Sequence, residues 1–241
     1  MKRIYIKITF FLYIIYFGYF LNKRSSSKLD YNWKKIPIKR TDIINYILKK
    51  IKNNQSLSKI NYLEIGCFNN ENFNQIDNLR IKKYGVDPEK GGNIRQSSDD
   101  FFRNNKDKFH CIFIDGLHIY NQVQRDLINS IECLHEGGYI IMHDCIPRNY
   151  IEQNVPRFPG NLPWTGDVWK VCVELNKSRG IKLNIFLCDN GVGVIKVNKK
   201  EFKYHFLNNE IQHKTFTDFI NFYYENLNKI EINNIEELNI I

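Results

Sequence analysis

An acid, a glycine and a histidine follow an apolar run in the segment FHCIFIDGLHIYNQVQRDL, residues 109–127. Asp115 and Gly116 end the run, and His118 stands three residues after Asp115. Carboxylates and imidazoles are the side chains that proteins use to move protons near neutral pH and to hold divalent cations. The types and spacing of these residues therefore make the segment a candidate reaction site.

Polar residues end three other apolar runs in the same way. INYLEIG ends in Glu64 and Gly66, RIKKYGVDP ends in Asp87, and YIIMHDC contains His143 and Asp144. One such ending alone is more typical of a helix cap or a turn. Four of them in succession are difficult to explain by packing, so together they indicate a site.

The elements that position these residues follow from hydrophobic periodicity. Apolar runs at 60–66, 80–88, 109–116 and 139–145 predict strands, and segments with helical spacing lie between them. Asp189 and Asn190 join two further predicted strands, 181–188 and 191–197, in a hairpin. Helices are predicted after Thr41, over 97–105, from residue 119 to the pair Gly137 and Gly138, and after Asp167 as a cap.

This alternation predicts an α/β fold, doubly wound and Rossmann-like, with a mostly parallel seven-stranded sheet and an antiparallel C-terminal hairpin strand. The carboxyl ends of parallel strands meet at one edge of such a sheet, where ligands bind. The four polar endings are therefore expected to lie together at that edge.

Basic residues concentrate near the N-terminus. Residues 1–52 hold 13 Lys or Arg and two acids, whereas the remainder holds 22 bases and 24 acids, so the total charge of +9 belongs to an N-terminal arm. A nucleic-acid-binding domain usually carries positive charge on its own surface. We therefore expect no nucleic-acid partner for the nearly neutral body.

The apolar segment IYIKITFFLYIIYFGYFL, residues 4–21, is a candidate membrane anchor. As a helix it would span about 27 Å, which reaches across a thin bilayer. The heavier basic flank after it predicts that the body lies on the cytoplasmic side. The alternatives are an amphipathic or partly buried helix, or an N-terminus set by a wrong start codon.

The predicted organisation of the chain has four parts. They are a hydrophobic N-terminal segment at 1–24, a basic linker at 25–40, an α/β domain at 41–198 and a helical C-terminal extension at 199–241. The six cysteines form no C-x-x-C pair and no zinc pattern, so we expect free thiols and a reducing compartment.

The spacing from Glu64-x-Gly66 to Asp87 is typical of an adenosine ligand, since an acid after the second strand can hold ribose hydroxyls. A nicotinamide cofactor would favour G-x-G-x-x-G. Phe68 and Glu71 occupy the second and third glycine positions of that pattern, which disfavours NAD.

At this point the sequence resembles the class I S-adenosylmethionine (SAM)-dependent methyltransferases. YLEIGCFNNENF is similar to their first motif, YGVDP to the second, and FIDGLHIYNQVQRDL with GGYIIMHDC to the fourth motif and fifth strand. WTGDVWKVCVEL, residues 164–175, resembles a segment of the subgroup that includes sugar O-methyltransferases. The resemblance covers about residues 41–198.

The resemblance implies SAM as the cofactor and methyl transfer to a hydroxyl of a sugar or another small molecule. Asp87 would hold the ribose, Ser98 and Asp99 would lie near the adenine, and Asp115 would lie beside the methionine part. The full set of cofactor-binding residues expected from the resemblance is Glu64, Gly66, Cys67, Asn72, Asp87, Ser98, Asp99 and Asp115.

In metal-dependent relatives, residues at the positions of Asp115, His143 and Asp144 coordinate a divalent ion, which implies Mg²⁺ or Mn²⁺ here. Several sugar-methylating relatives carry a general base two residues after the first metal acid. Leu117 occupies that position, so the catalytic proton acceptor is expected to be His118 or His143, with Asp115 beside it. For His118, a hydrogen bond from the start of a helix to the sheet is an equally good interpretation.

Two other functions remain open from the sequence. One is a binding module on a degenerate methyltransferase fold, which the Leu117 departure favours. The other is a metal-dependent enzyme of another reaction on the same sheet, because a fold does not determine a function. The polar strand ends favour the methyltransferase, since a drifting pocket loses costly buried polar groups.

Overall fold

The computed structural model describes residues 28–30, 32–55, 57, 59–76, 80–159 and 161–240. A 3-10 turn, Trp33–Lys35, precedes the first helix, and a second, Ile235–Ile240, ends the described chain. The helices are α1 (Arg40–Gln55), α2 (Glu71–Gln75), α3 (Ser98–Asn104), α4 (Tyr120–Cys133), α5 (Tyr150–Gln153), α6 (Trp169–Lys177), α7 (Asn209–Gln212) and α8 (Phe216–Glu225).

Seven strands form one sheet in the order β2-β1-β3-β4-β6-β5-β7. Their bounds are β1 Ile60–Ile65, β2 Ile81–Val86, β3 Phe109–Ile114, β4 Leu134–Met142, β5 Ile181–Phe186, β6 Val192–Val197 and β7 Lys229–Ile230. Pairing is parallel from β2 through β4, and β6 runs antiparallel to both of its neighbours. The predicted fold class is confirmed.

The sequence pattern located six of the seven expected strands. The chain between β2 and Ser98 makes only a single parallel bridge, between Val86 and Ile94. Two residues near the C-terminus, Lys229 and Ile230, instead pair in parallel with β5. Two residues are too short to show a periodic pattern, so sequence reasoning could not identify this strand.

Strand alternation divides the core into two layers. In β3, Ile112 and Ile114 pack on one face of the sheet, whereas Cys111 and Phe113 pack on the other. This is the period of two that a strand imposes on its side chains. The first face is covered mainly by α4, α6 and α8, and the second by α1.

Two predicted element ends were wrong. Helix α4 ends at Cys133, and Gly137 and Gly138 lie inside β4 rather than after a helix. A side chain at Gly138 would lie 2.8 Å from the carbonyl oxygen of His110, so a close approach to β3 explains this glycine. Asp167 does not cap α6, whose N-cap is Val168.

The segment from residue 199 contributes to the core. Helix α8 buries Phe216, Phe219, Phe222 and Tyr223, and the ring of Phe219 lies 5.2 Å from that of Trp169. The six cysteines are free and buried. In the part of the chain that the structure describes, no helix has the length and apolarity to cross a bilayer. The predicted anchor, residues 4–21, lies outside the described residues and stays a prediction.

Candidate active site

The carboxyl ends of β3 and β4 bring four of the predicted site residues together. The imidazole of His118 reaches both acids, because Nε2 lies 3.4 Å from Oδ1 of Asp115 and Nδ1 lies 3.1 Å from Oδ2 of Asp144. Nδ1 of His143 lies 3.2 Å from the same oxygen of Asp115. The adjacency follows from parallel pairing, since Ile114 of β3 is in register with Met142 of β4.

Two further residues complete this cluster, and the sequence had not marked them as site residues. Asp189 in the β5–β6 turn has a carboxylate oxygen 3.6 Å from Nε2 of His143. Arg40 at the start of α1 places Nη1 3.6 Å from Asp189 and Nε 3.9 Å from Asp115. Asp189 follows β5, which runs parallel to β4, but the sequence marked it only as a turn residue, and Arg40 lay in the predicted linker. Only the folded chain brings them to the sheet edge.

His143 is buried, and two carboxylates favour its protonated form, whereas Arg40 opposes it. Its Nε2 lies 2.7 Å from the carbonyl oxygen of Asp189, which can only accept, so this nitrogen carries a proton. Burial opposes the charge, but Asp144 and Asp115 outweigh it and raise the pKa of His143 well above its usual value. Arg40 Nη1 lies 2.9 Å and 3.2 Å from the two ring nitrogens and is a further neighbour of this ring.

His118 is more accessible than His143, with 21% of its side chain exposed against 4%. Nδ1 of His118 faces two acceptors, Asp144 Oδ2 and the carbonyl oxygen of Trp164 at 3.3 Å, so Nδ1 is the protonated nitrogen. Burial lowers its pKa, but Asp144 and Asp115 raise it by more, and the net shift is upward. Nε2 faces Oδ1 of Asp115 at 3.4 Å.

Asp144 shows two signs of a functional position. Its Oδ1 atom is buried without a hydrogen-bond partner, although its neighbour Oδ2 faces His118. Its backbone has φ of +57°, in the left-handed region that a side chain adopts at a cost of about 1–2 kcal/mol. Such strain and such unused bonding capacity persist where the surroundings enforce them, which is typical of binding sites.

The cluster contains as many acidic as basic side chains. Three carboxylates, on Asp115, Asp144 and Asp189, face three basic side chains, on Arg40, His118 and His143. Burial would raise the pKa of Asp115, but His143, His118 and Arg40 keep it well below its usual range. Burial likewise opposes the charge on Asp189, and His143 and Arg40 lower its pKa to about 2.

Three of these residues could hold a cation. The ligand atoms of Asp115, His118 and Asp144 lie within 4.8 Å of one another. The predicted ligand set had His143 in place of His118. His143 is close by, with Nδ1 3.4 Å from Asp144, but its Nε2 is engaged with the Asp189 carbonyl. The orphaned Oδ1 of Asp144 gives the same cluster an unused anionic acceptor.

At the end of β1, Glu64 lies in a closed hydrogen-bond network. Its Oε2 accepts from the Tyr62 hydroxyl and from Nδ2 of Asn72, both at 2.7 Å. Thr41 donates in turn to the Asn72 carbonyl at 2.7 Å. Burial raises the pKa of Glu64 to about 7, although these two donors lower it. Thr41, predicted as a helix cap, therefore belongs to this network inside α1.

Asp87, the predicted ribose ligand, is saturated by backbone groups. Its Oδ2 accepts from the N–H groups of Cys67 and Phe68 at 3.0 and 2.9 Å. Its Oδ1 accepts from Glu89 and Lys90, both at 2.9 Å. Burial would raise the pKa of Asp87, but these four bonds lower it. A carboxylate has about four lone-pair sites, so a ribose hydroxyl would have to displace one of these donors.

Gly66 is explained by packing as well as by ligand access. It has φ of +85°, and a side chain there would lie 2.2 Å from the carbonyl oxygen of Asp115. The β1 turn therefore touches the end of β3, which draws the Glu64 and Asp115 regions together. Cys67 is buried, and burial raises the pKa of its thiol. This thiol is therefore inert at neutral pH.

Ser98 and Asp99 lie at the start of α3, beside α4. Gln122 donates from Nε2 to Ser98, Asp99 and Asp126 at 3.0–3.1 Å. Oδ2 of Asp126 is buried and has no hydrogen-bond partner, and burial raises the pKa of Asp126 to about 6. Gln122 and Asp126 were not predicted, because on α4 they resemble ordinary polar helix positions. The group lies near Gly116, since a side chain there would lie 3.9 Å from Oδ2 of Asp126.

Comparisons with known proteins found a matching family model and several similar solved structures. Residues 63–145 match the family model described as a methyltransferase domain. A search of curated proteins gave no match. Among solved structures, the O-methyltransferase from Bacillus cereus bound to SAH is 11% identical, with a TM-score of 0.48 over 67% of this chain and 82% of that chain.

Two other solved structures are similar to the same extent. The methyltransferase PaMTH1 from Podospora anserina, bound to SAH, is 12% identical, with a TM-score of 0.44 over 64% of this chain and 76% of that one. TomG, an O-methyltransferase from Streptomyces achromogenes in complex with SAM, is 10% identical, with a TM-score of 0.44 over 65% and 78%. At these identities the likeness carries no information about the acceptor.

The parallel sheet with one antiparallel strand defines a doubly wound α/β protein, and the candidate site lies at the carboxyl edge of this sheet. The family match covers residues 63–145, about a third of this chain, and makes this stretch similar to a methyltransferase domain.

Proposed function

We propose that this protein transfers the methyl group of SAM to a hydroxyl oxygen of a small molecule. The observation that carries the proposal is the pairing of His118 with Asp144 and Asp115 at the carboxyl edge of the sheet. Bound SAM supplies an electrophilic methyl group on a sulfonium. The chain must therefore orient an acceptor hydroxyl and accept its proton.

His118 is the residue best placed to accept that proton. Nδ1 is protonated and faces Asp144, which leaves the lone pair of neutral imidazole on Nε2. An acid that holds one imidazole nitrogen and stabilises the imidazolium is the arrangement of catalytic acid–histidine pairs. His143 cannot serve in the same way, because its charge is held by Asp115, Asp144 and the Asp189 carbonyl.

The residues around β1 and β2 fit the cofactor in part. Glu64 and Asn72 form a polar wall, and the Ser98–Asp99–Gln122 group offers hydrogen-bonding atoms for a heterocycle such as adenine. Asp87 fits a ribose only if one of its four backbone donors is released. The cofactor assignment therefore rests mainly on the family match and on the β3–β4 side.

A metal-dependent form of the same reaction is favoured by the orphaned Oδ1 of Asp144. Asp115, His118 and Asp144 would hold a divalent ion, and a mixed oxygen and imidazole set suits Mn²⁺ as well as Mg²⁺. Such an ion would lower the pKa of an acceptor hydroxyl. Nε2 of His118 cannot hold a metal and accept a proton at once, so the two forms of the mechanism exclude each other.

A sugar remains our proposed acceptor, and it would meet a partly apolar surface. Leu117 is 53% exposed beside His118, and Leu162 is 42% exposed in the loop before α6. The two tryptophans of this region that could stack on a sugar ring are engaged elsewhere. Trp169 is buried in the core, and Trp164 stacks on His118. Sugar binding through a free aromatic face therefore has no support from these residues.

The first experiment is calorimetric titration of the full chain with S-adenosylhomocysteine, with and without Mn²⁺. We expect micromolar binding that falls at least tenfold in Asp115→Asn. His118→Gln separates the two mechanisms. If His118 is a ligand, this variant loses Mn²⁺ affinity, and if it is the base, the variant keeps Mn²⁺ and cofactor affinity but loses turnover.

Turnover is measured by mass spectrometry as a methyl group added to hydroxylated acceptors, sugars first. Absence of cofactor binding under every condition would overturn the proposal and favour the binding module. Cofactor binding with a product methylated on nitrogen or carbon would overturn the oxygen acceptor alone.

A further inference from the structure

Residues 164–167, with the sequence WTGD, cross directly over residue 118, and we name them the strap. The sequence pattern had drawn attention to this segment, but the proposed chemistry assigns it no role. The backbone N–H of Asp167 donates to the carbonyl oxygen of His118 at 3.2 Å. The strap therefore touches the main chain of the proposed catalytic residue.

The strap also contacts the imidazole ring. The indole of Trp164 stacks on the ring of His118, with centroids 5.2 Å apart and planes inclined by 21°. The carbonyl oxygen of Trp164 lies 3.3 Å from Nδ1. Because a carbonyl only accepts hydrogen bonds, this contact favours the form of His118 that is protonated on Nδ1.

Gly166 sets the distance between the strap and residue 118. It has φ of +60°, and a side chain there would lie 1.7 Å from the carbonyl oxygen of His118. The clash would be with backbone, which has no flexible end to move aside. Glycine is therefore the residue that allows this crossing.

The strap is fixed at both ends by contacts outside the site. Oδ1 of Asp167 accepts from the backbone N–H of Tyr120 at 2.6 Å, which caps α4 from a distant part of the chain. The N–H groups of Thr165 and Gly166 both donate to the carbonyl oxygen of Glu152, at 2.8 and 3.0 Å. The indole N–H of Trp164 donates to the carbonyl oxygen of Asn154 at 2.7 Å.

We propose that the strap is the positioning device for His118, with Trp164 as the positioning residue. The stacked indole holds the plane of the imidazole, and the Trp164 carbonyl together with Asp144 holds the proton on Nδ1. Nε2 is thereby directed to the reaction side of the ring, toward Asp115. The inference rests on the proposed function only for the role given to His118.

The test uses nuclear magnetic resonance of ¹⁵N-labelled full chain, read at the two ring nitrogens of His118. In the parent protein we expect one orientation of the His118 ring, seen as contacts between its protons and those of the indole. We also expect the neutral ring to carry its proton on Nδ1. Trp164→Phe keeps a stacking ring and the carbonyl and should preserve both signals. Trp164→Ala should give a mixture of tautomers or an exchange-broadened ring.

Gly166→Ala tests the backbone crossing, and Gly180→Ala is its matched control. Gly180 has a similar φ of +69°, and a side chain there would also meet backbone, at 2.7 Å from Glu201, in a region outside the site. We expect Gly166→Ala to move the His118 signals and Gly180→Ala to leave them in place. If Gly166→Ala does not fold, the comparison of Trp164→Ala with Trp164→Phe remains the test.

Once an acceptor is known, Trp164→Ala should lower kcat about 10–100-fold with little change in KM, and Trp164→Phe should restore most of it. Unchanged His118 signals in both Trp164→Ala and Gly166→Ala would overturn the strap proposal, as would equal movement in Gly180→Ala. The resonance readout needs no turnover. The strap proposal can therefore be wrong while the proposed methyltransferase activity is correct, and the reverse also holds.

Discussion

The polar side chains at the two halves of the sheet edge differ in how much of their hydrogen-bonding capacity is unused. On the β1–β2 side, both oxygens of Asp87 receive two backbone donors each, and Glu64 is closed in with Tyr62 and Asn72. On the β3–β4 side, Asp144 has an unpartnered buried oxygen and a left-handed backbone.

The contrast separates positions that organise the fold from positions that can react. A saturated buried acid is already compensated, so removing it costs stability. An acid with unused capacity and backbone strain is compensated only when a ligand or proton arrives. Both kinds look alike in sequence, as an acid at the end of an apolar run.

The largest expected effect is on catalysis at the β3–β4 side. In Asp144→Asn, an amide replaces the carboxylate that faces Nδ1 of His118 and can present its own N–H there. The wrong tautomer then dominates, and kcat should fall about 10³–10⁴-fold. Methyl-transfer rates measure the loss, and urea unfolding measures the separate cost of removing a charge from the buried cluster, which should be about 3–5 kcal/mol. A rate within tenfold of the parent would contradict the reactive role of this acid.

A second comparison contrasts the two histidines of the cluster. His118→Gln should lower kcat about 10²–10⁴-fold with a nearly unchanged free energy of unfolding, because this ring is partly exposed. His143→Gln should instead destabilise the fold by about 3–5 kcal/mol, since it removes one member of a buried charge cluster. Paired rate and urea measurements would contradict the assignment if the two variants exchanged these effects.

On the saturated side, Asp87→Asn should lower the free energy of unfolding by about 1–3 kcal/mol, because the amide nitrogen cannot accept from two of the four backbone donors. Urea unfolding measures the loss. Asp100→Asn is the control, since its half-exposed carboxylate should cost within about 0.5 kcal/mol. If Asp87→Asn were as stable as the parent and had lost only cofactor affinity, Asp87 would be available to bind a ribose. This result would contradict its assignment to the saturated side.

The smallest expected effect is the pH dependence of Glu64. Burial raises its pKa from 4.5 to about 7, so the folded state holds a proton that the unfolded state has released within that window. The stabilisation that the protonated Glu64 gives to the folded state is fully present below the unfolded pKa of 4.5, and it is lost as pH rises through about 7.

Glu64→Gln cannot release a proton, so it should be more stable than the parent by about 1–2 kcal/mol at pH 8 and similar to it at pH 4.5. Urea unfolding at the two pH values measures this difference. Equal pH profiles in parent and variant would show that Glu64 is charged in the folded state at neutral pH.

Much of the architecture was predictable from local pattern. The apolar runs 109–114 and 60–65 are long enough and uniform enough to be buried strands, and both were confirmed. Features that depend on contacts between distant parts of the chain were missed. Asp167 reads as a cap for the helix that follows it, yet its carboxylate caps α4, 47 residues earlier in the chain.

The sequence alone determined the fold class and the acids and histidines at the strand ends, because strand periodicity and side-chain chemistry are local properties. Only the tertiary structure decided which of those residues remain chemically available. Asp87 receives hydrogen bonds from loop backbone on both of its oxygens, whereas Oδ1 of Asp144 receives none. Arg40 and the strap reach the site from distant segments, and hydrogen-bond saturation depends on every neighbour in space.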